Sequence, residues 1–268
     1  MKREGLFVPT IEDAIEISGI ETLHPGGAAL TRRTAEVAGL RPGIEVLDVS
    51  CGRGTQSLLY AEEYGASVTG LDLAPDMLAT AEERALGSGA RERLRFLRGD
   101  SQQLPLPDDS FDVVINECAV GIPDDSQRVL DEMVRVARPG GVVVIHESVW
   151  KRPMSPEARH ELTERYGTTP LEPVQWRAML EAAGLEAVEQ ELEPWSRPEN
   201  FWKVRQERDV PGPGQVLTWP ERLRTIWRIV MRWGVSGALT ALTNEKRFYA
   251  AIEAGQLGYG LFWGRKPA

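Results

Sequence analysis

The chain has 268 residues, 42% of them hydrophobic, and a formal net charge of −9 at pH 7. This length is enough for one large α/β domain, alone or with an appended lid. The negative charge argues against a nucleic acid as the main partner, because phosphate contacts need clustered Lys and Arg. No apolar run approaches the roughly 20 residues of a transmembrane helix, and no signal-peptide core follows the first residues. Two cysteines fit a reducing compartment, so we expect a cytoplasmic protein without stable membrane insertion.

Two helical patterns precede the first predicted strand. The first covers residues 10–17, and the second follows the turn His24-Pro25-Gly26-Gly27 and is predicted over residues 28–38. The turn Arg41-Pro42-Gly43 separates this helix from the strand that follows. We therefore expect residues 1–39 to form an N-terminal helical segment outside the main sheet.

The first apolar run, residues 45–49, breaks into a turn that carries Gly52 and Gly54, and a helical pattern follows. Glycine has no Cβ, so the backbone of such a turn can come close to a ligand above the start of the next helix. The second run, residues 67–71, ends in Asp72. A carboxylate at this strand end is placed to accept hydrogen bonds from two ribose hydroxyls. Both features indicate a nucleoside site.

The spacing of the glycines decides between two kinds of nucleoside ligand. A dinucleotide fingerprint requires Gly-x-Gly-x-x-Gly, and Ser57 stands at the third position counted from Gly52. The stretch instead resembles motif I of class I S-adenosylmethionine-dependent methyltransferases, in which an acidic residue, here Asp48, precedes a Gly-x-Gly turn. Ser50 stands where this family usually has its first glycine. The resemblance implies S-adenosylmethionine as the cofactor.

Strands and helices alternate along the rest of the core. Further strands are predicted over residues 94–98, 111–117, 142–145 and 187–192, and helices over about 75–86, 129–137 and 176–183. This alternation predicts a doubly wound, mostly parallel α/β sheet with its ligand site beyond the carboxyl ends of the strands. Residues 258–268 resemble the antiparallel final strand of the methyltransferase fold, which gives a seven-stranded Rossmann-like sheet.

The resemblance extends over about residues 40–148 and is greatest to small-molecule and quinone methyltransferases with a type 11 methyltransferase domain. It implies that Asp72 holds the ribose, that Leu73 and Met77 pack on the nucleoside, and that Asp100 with Ser101 reads the adenine. The backbone of the glycine turn and of the fourth strand's end would flank the methionine portion. The implied cofactor-binding residues are Asp48, Ser50, Gly52, Gly54, Asp72, Leu73, Met77, Asp100, Ser101 and Asn116.

Three residues are candidates for a catalytic base. Glu117 is the first, because the resemblance places Asn116 and Glu117 next to the transferred methyl and a carboxylate in an apolar site has its pKa raised toward neutrality. His24 is the second, since the N-terminal segment of related folds closes over the cofactor. His146, predicted at the tip of strand five, is the third. Each side chain has the alternative role of fixing a loop or holding the ammonium group of the donor.

A metal centre is not predicted. The three histidines, His24, His146 and His160, show no ligand spacing such as His-x-x-x-His, and we expect them at the surface or behind the site. Cys118 beside Glu117 is similar to the arrangement in arsenite methyltransferases, whose acceptor is held by several thiolates. Cys51 is the only other thiol, so arsenite is not the acceptor we expect.

Residues 194–257 form a predicted helical cap between strands six and seven, placed over the carboxyl edge of the sheet. The cap contains five of the eight tryptophans, at positions 195, 202, 219, 227 and 233. They predict an apolar lid, either as a small core or as an aromatic cage. Apolar residues on one helical stripe, Leu223, Ile226, Trp227, Val230 and Trp233, adjoin a basic stripe of Arg224, Arg228 and Arg232. This basic face pairs with an acidic body or makes a weak contact with a membrane surface.

The pattern favours a methyltransferase that acts on a small, partly apolar acceptor, with core segments 40–193 and 258–268 and a cap that supplies the acceptor pocket. Two alternatives stay open. One is a nucleoside-binding regulatory or scaffold protein without turnover, and the other is a nicotinamide-dependent dehydrogenase on the same sheet. The sequence leaves the methylated atom and the oligomeric state undetermined.

Overall fold

The computed structural model describes residues 17, 24–201 and 218–268. In these ranges the chain forms seven strands and eight α-helices. The strands are β1 Glu45–Val49, β2 Ser67–Asp72, β3 Leu94–Arg98, β4 Phe111–Glu117, β5 Ala137–Trp150, β6 Glu186–Glu191 and β7 Leu257–Arg265. The helices are α1 Gly27–Ala38, α2 Thr55–Tyr64, α3 Pro75–Leu86, α4 Ser126–Val136, α5 Pro156–Tyr166, α6 Pro173–Ala182, α7 Pro198–Phe201 and α8 Trp219–Glu253.

All seven strands form one sheet in the order β3-β2-β1-β4-β5-β7-β6. The pairings β3-β2, β2-β1, β1-β4 and β4-β5 are parallel, and β7 is antiparallel to both of its neighbours. This arrangement confirms the predicted doubly wound sheet with an antiparallel last strand. Crossing helices cover both faces, which is why β1, β4 and β5 read as nearly continuous apolar runs.

The fifth strand is much longer than the four residues predicted for it. It runs for 14 residues, because β7 pairs with it in register from Val142 to Trp150 and extends the ladder beyond the apolar run. His146 therefore lies inside β5, opposite Glu117 of β4, and the prediction that it ends the strand is wrong. The consequence is that His146 is held rigidly between two strands.

The insertion between β6 and β7 begins and ends at the carboxyl edge of the sheet. Leu257, the first residue of β7, pairs with Trp150, the last residue of β5. Most of the described insertion is α8, which bends at Gly234, where φ is 72°. Its second half packs on α5, where the rings of Phe248 and Tyr166 lie 4.5 Å apart. Trp202 of the predicted cap lies outside the described residues, as does all of the predicted first helix, residues 10–17, except residue 17.

The apolar stripe predicted on α8 is only partly buried. Val230 and Trp233 pack beside the buried Ile229, whereas Leu223 and Trp227 are each 64% exposed. In the second half of the helix the buried residues include Gly237, Ala238 and Ala241, whose small size allows close approach. Among the described residues, the cap tryptophans do not form one common core, because Trp219 and Trp227 are exposed. In the part of the chain that the structure describes, no helix has the length and hydropathy to cross a membrane.

Candidate active site

The loop between β1 and α2 has the geometry that a closely bound ligand requires. Ser50, Gly52 and Gly54 all have positive φ angles, of 61°, 52° and 72°. The left-handed φ of Ser50 explains why a glycine is usual there, since glycine adopts it without steric cost. A Cβ added to Gly54 would lie 2.9 Å from Ala81, whereas one added to Gly52 would meet nothing within 4 Å. Gly54 therefore packs against α3, and the space beside Gly52 is open to a ligand.

Asp72 connects this loop to the end of β2. Its Oδ2 accepts a hydrogen bond from the Gly52 amide at 2.8 Å, and its Oδ1 accepts one from the Ala74 amide at 2.9 Å. Each carboxylate oxygen has a further lone pair, which leaves both free to accept from a ribose hydroxyl as well. The side chain is thus fixed by backbone donors in the place predicted for ribose binding.

Asp48 lies beneath the loop rather than at its surface. It is 2% exposed, and its Oδ2 accepts a hydrogen bond from the Ser57 hydroxyl at 2.5 Å. Burial raises the pKa of Asp48 to about 8, although the Ser57 hydrogen bond works in the opposite direction. Asp48 therefore ties the first turn of α2 to β1, so that its part in cofactor binding runs through the loop.

The other residues predicted to contact the nucleoside lie along the same carboxyl edge of the sheet. Leu73 is 59% exposed directly after β2, and Met77 is partly buried in the first turn of α3. Asp100 accepts a hydrogen bond from the Gln102 amide at 2.8 Å, and Ser101 is 8% exposed. An apolar side chain next to polar groups at adjacent strand ends is suited to an adenosine, but these roles stay predictions.

Asn116, the last residue of β4 before Glu117, carries an unpaired donor. The side chain is fully buried, and its Oδ1 accepts from the Ala119 amide at 2.9 Å, but its Nδ2 has no hydrogen-bond partner. A buried donor without a partner costs free energy, on the order of 1–3 kcal/mol, unless a ligand satisfies it. This orphan, together with the open space beside Gly52, fits a cofactor that presents an acceptor group at the end of β4.

Glu117 is the centre of a buried polar group that we call the His–Glu–His cluster: His24, Glu117 and His146. Glu117 Oε2 lies 2.9 Å from His24 Nε2 and 3.1 Å from His146 Nε2. The three side chains are 0–4% exposed, and the two imidazole rings have centroids 4.6 Å apart. All three predicted catalytic residues therefore meet at one place. Of the two places expected for the histidines, at the surface or behind the site, the surface applies to His160, which is exposed on α5, whereas His24 and His146 are buried.

Four further residues, none of them marked by a sequence motif, contact this cluster from outside. The Thr31 hydroxyl donates to Glu117 Oε2 at 3.0 Å, and the Tyr60 hydroxyl donates to Glu117 Oε1. His24 Nδ1 lies 2.9 Å from the carbonyl oxygen of Pro25, and His146 Nδ1 lies 2.7 Å from the Tyr259 hydroxyl. No motif marks Thr31 or Tyr60, because their partner is far away in sequence.

The pKa of Glu117 is shifted in the direction opposite to the one predicted. Burial alone would raise it, but the electrostatic fields of His146 and His24, whose Nε2 atoms lie 3.1 and 2.9 Å from Oε2, outweigh burial and hold the pKa of Glu117 well below its ordinary value. Burial lowers the pKa of His146. Glu117 is therefore an ionised group that orients the two imidazoles, and the prediction of a raised pKa is wrong.

A second buried carboxylate, Glu147, faces away from the cluster. Its Oε1 accepts from the amides of Val120 and Gly121, at 2.7 and 3.3 Å, and burial raises its pKa to about 7. These bonds fix the loop that follows β4. Trp195 of the cap lies against the N-terminal turn: a Cβ added to Gly26 would lie 3.3 Å from its ring.

Comparisons with known proteins identify the family to which this chain belongs. Residues 47–145 match the model of a methyltransferase domain. The 27-O-demethylrifamycin SV methyltransferase of Amycolatopsis mediterranei is 30% identical over 251 residues, which are 92% of this chain and 86% of that protein. The arsenite methyltransferase of Halobacterium salinarum is 36% identical over 156 residues, or 57% of this chain and 40% of that protein. Several of the curated relatives are matched over only about half of their own length or less.

The fold is also shared with solved structures. The [4+2]-cyclase SpnF superposes with a TM-score of 0.76 at 25% identity, over 99% of this chain and 100% of that one. A phosphoethanolamine N-methyltransferase from Haemonchus contortus in complex with S-adenosyl-L-methionine superposes with a TM-score of 0.72 at 20% identity, over 97% of this chain and 58% of that one. The chain belongs to the class I S-adenosylmethionine-dependent methyltransferases, whose cofactor is S-adenosylmethionine.

Proposed function

We propose that this protein transfers a methyl group from S-adenosylmethionine to a small, partly apolar acceptor, and that the His–Glu–His cluster holds and activates the nucleophilic atom of that acceptor. The cofactor supplies an already activated sulfonium methyl, so that the protein has to align the acceptor and exclude water. The observation that carries the proposal is the position of Glu117 at the end of β4, directly after Asn116, whose Nδ2 has no hydrogen-bond partner.

The cluster is suited to this work because it is polar, buried and rigid. His146 and Glu117 are paired across β4 and β5, and His24 reaches them from the N-terminal turn. An acceptor hydroxyl placed against these groups finds hydrogen-bond partners that cannot rotate away, in surroundings of low dielectric. The α8 insertion, which begins and ends at the same edge, would complete the acceptor pocket.

The acceptor class is proposed from the charge and the composition of this edge. The chain carries a net charge of −9, and the buried groups around the cluster are aromatic or neutral apart from carboxylates. Neither feature attracts a polyanion. The two cysteines do not join the His–Glu–His cluster in the described part of the chain, so a thiolate site for arsenite has no support there.

The proposal is tested in two stages on the full chain. Calorimetry with S-adenosylmethionine and with NAD separates the methyltransferase from the dehydrogenase alternative, and binding of NAD alone would refute the proposal. Transfer of a labelled methyl group is then followed with small hydroxyl, amine and thiol acceptors of graded hydropathy. Formation of a labelled product supports the proposal.

A second candidate function follows from the similarity to a [4+2]-cyclase over the full length of the chain. In that case the protein keeps the cofactor site but performs a different reaction, or binds without turnover. Tight binding of S-adenosylmethionine, with no demethylated cofactor formed in the presence of any acceptor class, favours this candidate over methyl transfer.

A further inference from the structure

The His–Glu–His cluster has the chemistry of a metal site as well as that of an acceptor site. The ligand atoms, Nε2 of both histidines and a carboxylate oxygen of Glu117, lie within 4.8 Å of one another. Two imidazoles and one carboxylate are a set that binds divalent first-row transition ions such as Zn²⁺, Co²⁺ or Fe²⁺ in preference to Mg²⁺ or Ca²⁺. These three ligands do not form a motif with a regular spacing in the sequence, because each comes from a different structural element.

The hydrogen bonds behind the imidazoles turn their Nε2 lone pairs inward. A carbonyl oxygen can only accept, so the contact with Pro25 requires a hydrogen on His24 Nδ1. The Tyr259 hydroxyl donates to the carbonyl of His146 at 3.1 Å, so that His146 Nδ1 donates to the hydroxyl oxygen. We assign the tautomers from these partners. With these tautomers both Nε2 atoms present a lone pair toward Glu117, and the Thr31 hydroxyl, 3.0 Å from Glu117 Oε2 and 3.3 Å from His24 Nε2, shares its hydrogen between the two.

The contact between His146 and Glu117 does not have the alignment of a hydrogen bond. Nε2 of His146 is buried and has no hydrogen-bond partner, although Glu117 Oε2 is 3.1 Å away. Two ligands in adjacent positions of an octahedral ion, each bound at about 2.1 Å, are roughly 3.0 Å apart. The separations of 2.9 and 3.1 Å from Oε2 to the two Nε2 atoms match this value.

Charge gives an independent argument. Among the described residues, the ion-pair partners of Glu117 are the two histidines, with no Lys or Arg within reach. An ionised carboxylate that is 4% exposed needs a nearby positive charge. A divalent cation bound by the three ligand atoms would place that charge directly against Glu117. The outer partners, a carbonyl and two tyrosine hydroxyls, are the kind that fix ligand orientation around bound metals.

We propose that His24, Glu117 and His146 form a binding site for a divalent first-row transition ion, placed at the end of β4 beside the cofactor. The inference rests on the proposed function only for the role of the ion, which is to hold an acceptor oxygen and ease the loss of its proton. Binding of the ion itself does not depend on that role.

The test uses the full chain after removal of metals with a chelator. Titration with Co²⁺ is followed by its visible absorption, and Zn²⁺ uptake is followed by equilibrium dialysis with elemental analysis. We expect a single ion per chain. His24→Gln and Glu117→Gln should each weaken binding by more than 100-fold, and Tyr259→Phe, which removes an outer partner, by about 10- to 100-fold. His160→Gln alters a histidine on the exposed side of α5 and is the matched control.

Wild-type protein that takes up no Co²⁺ or Zn²⁺, or a Glu117→Gln variant that binds as tightly as wild type, would overturn the proposal. A loss in His160→Gln equal to that in His24→Gln would also overturn it. Near-ultraviolet circular dichroism of each metal-free variant shows whether it is folded. Calorimetry with S-adenosylmethionine on the metal-free wild type tests the proposed function separately, so that failure of one is not read as failure of the other.

Discussion

The two halves of the sheet edge are built by different means. In the cofactor half, formed by β1, β2 and β3 with their loops, the functional groups are fixed by backbone donors of the same βαβ unit, as Asp72 is by Gly52 and Ala74. In the acceptor half, formed by β4, β5, β7 and the N-terminal turn, side chains fix one another over long separations, as His146 and Tyr259 do. The first half is therefore locally encoded, and the second exists only in the folded chain.

We expect the largest effect from a variant that distinguishes methyl transfer, assigned to the acceptor half, from cofactor binding, assigned to the cofactor half. Glu117→Gln should lower the rate of methyl transfer by about 100- to 10,000-fold, because it removes the charge around which the acceptor half is arranged. Affinity for S-adenosylmethionine, measured by calorimetry, should change little. Glu189→Gln, on the exposed side of β6, is the control and should match wild type in both measurements. Equal losses of binding and of transfer in Glu117→Gln would show that the two halves are not separate.

The second prediction concerns Asp48, beneath the cofactor half. Its native pKa is about 8 and the unfolded value is about 3.8, so the folded chain binds the proton more tightly. Its stabilising contribution is complete below the unfolded pKa and falls as pH rises toward 8, by on the order of 1 kcal/mol per pH unit. Urea unfolding between pH 5 and pH 7.5 should show this decline in wild type and a flatter profile in Asp48→Asn. Parallel profiles would mean that Asp48 titrates normally in the folded state.

The third prediction addresses the cofactor half itself. Asp72→Ala should weaken binding of S-adenosylmethionine by about 1.5–3 kcal/mol, the usual contribution of hydrogen bonds to a charged group. Asp72→Asn, which keeps one acceptor oxygen for the loop amides, should lose less. Calorimetry at one ionic strength compares both variants with wild type. An unchanged affinity in folded Asp72→Ala would remove this residue from the ribose site.

We expect the smallest change in stability at the exposed apolar residues of α8, the helix that covers the acceptor half from outside the sheet. Leu223→Ser with Trp227→Ser should change the free energy of unfolding by less than about 0.5 kcal/mol, as surface substitutions do. Ile229→Ser, on the buried side of the same helix, is the matched control and should cost about 2–4 kcal/mol. A large loss of stability in the double variant would show that Leu223 and Trp227 are covered in solution.

Sequence reasoning succeeded where structure is local. The turn after β1 follows from a few adjacent residues whose φ angles only glycine or a strained residue adopts, and Asp72 follows from the end of a strand. It also found Glu117, His24 and His146, but as separate candidates. Their meeting could not be predicted, because it depends on the pairing of β4 with β5 and on a turn 93 residues before Glu117.

The details that were predicted wrongly depend on contacts between residues that are far apart in the chain. The pKa of Glu117 was predicted from burial alone, since the sequence does not show that two imidazoles lie against it. The apolar stripe of α8 predicted a lid, yet a helical stripe specifies a face and not a partner. Val230 and Trp233 of this stripe pack beside Ile229, whereas Leu223 and Trp227 stay exposed. Tyr60 and Tyr259 have no local pattern, so only the folded chain reveals them.

The position of β7 has a consequence for synthesis on the ribosome. This strand lies between β5 and β6, although it is the last of the seven to be translated. Until it emerges, β5 presents an unpaired apolar edge and β6 has no neighbour in the sheet, which is the condition in which nascent chains associate wrongly. Tyr259 arrives with the same strand, so the outer support of His146 forms only when the sheet closes. A chain that has not yet released β7 therefore lacks both the closed sheet and the outer support of His146, and pairing of this one strand supplies both.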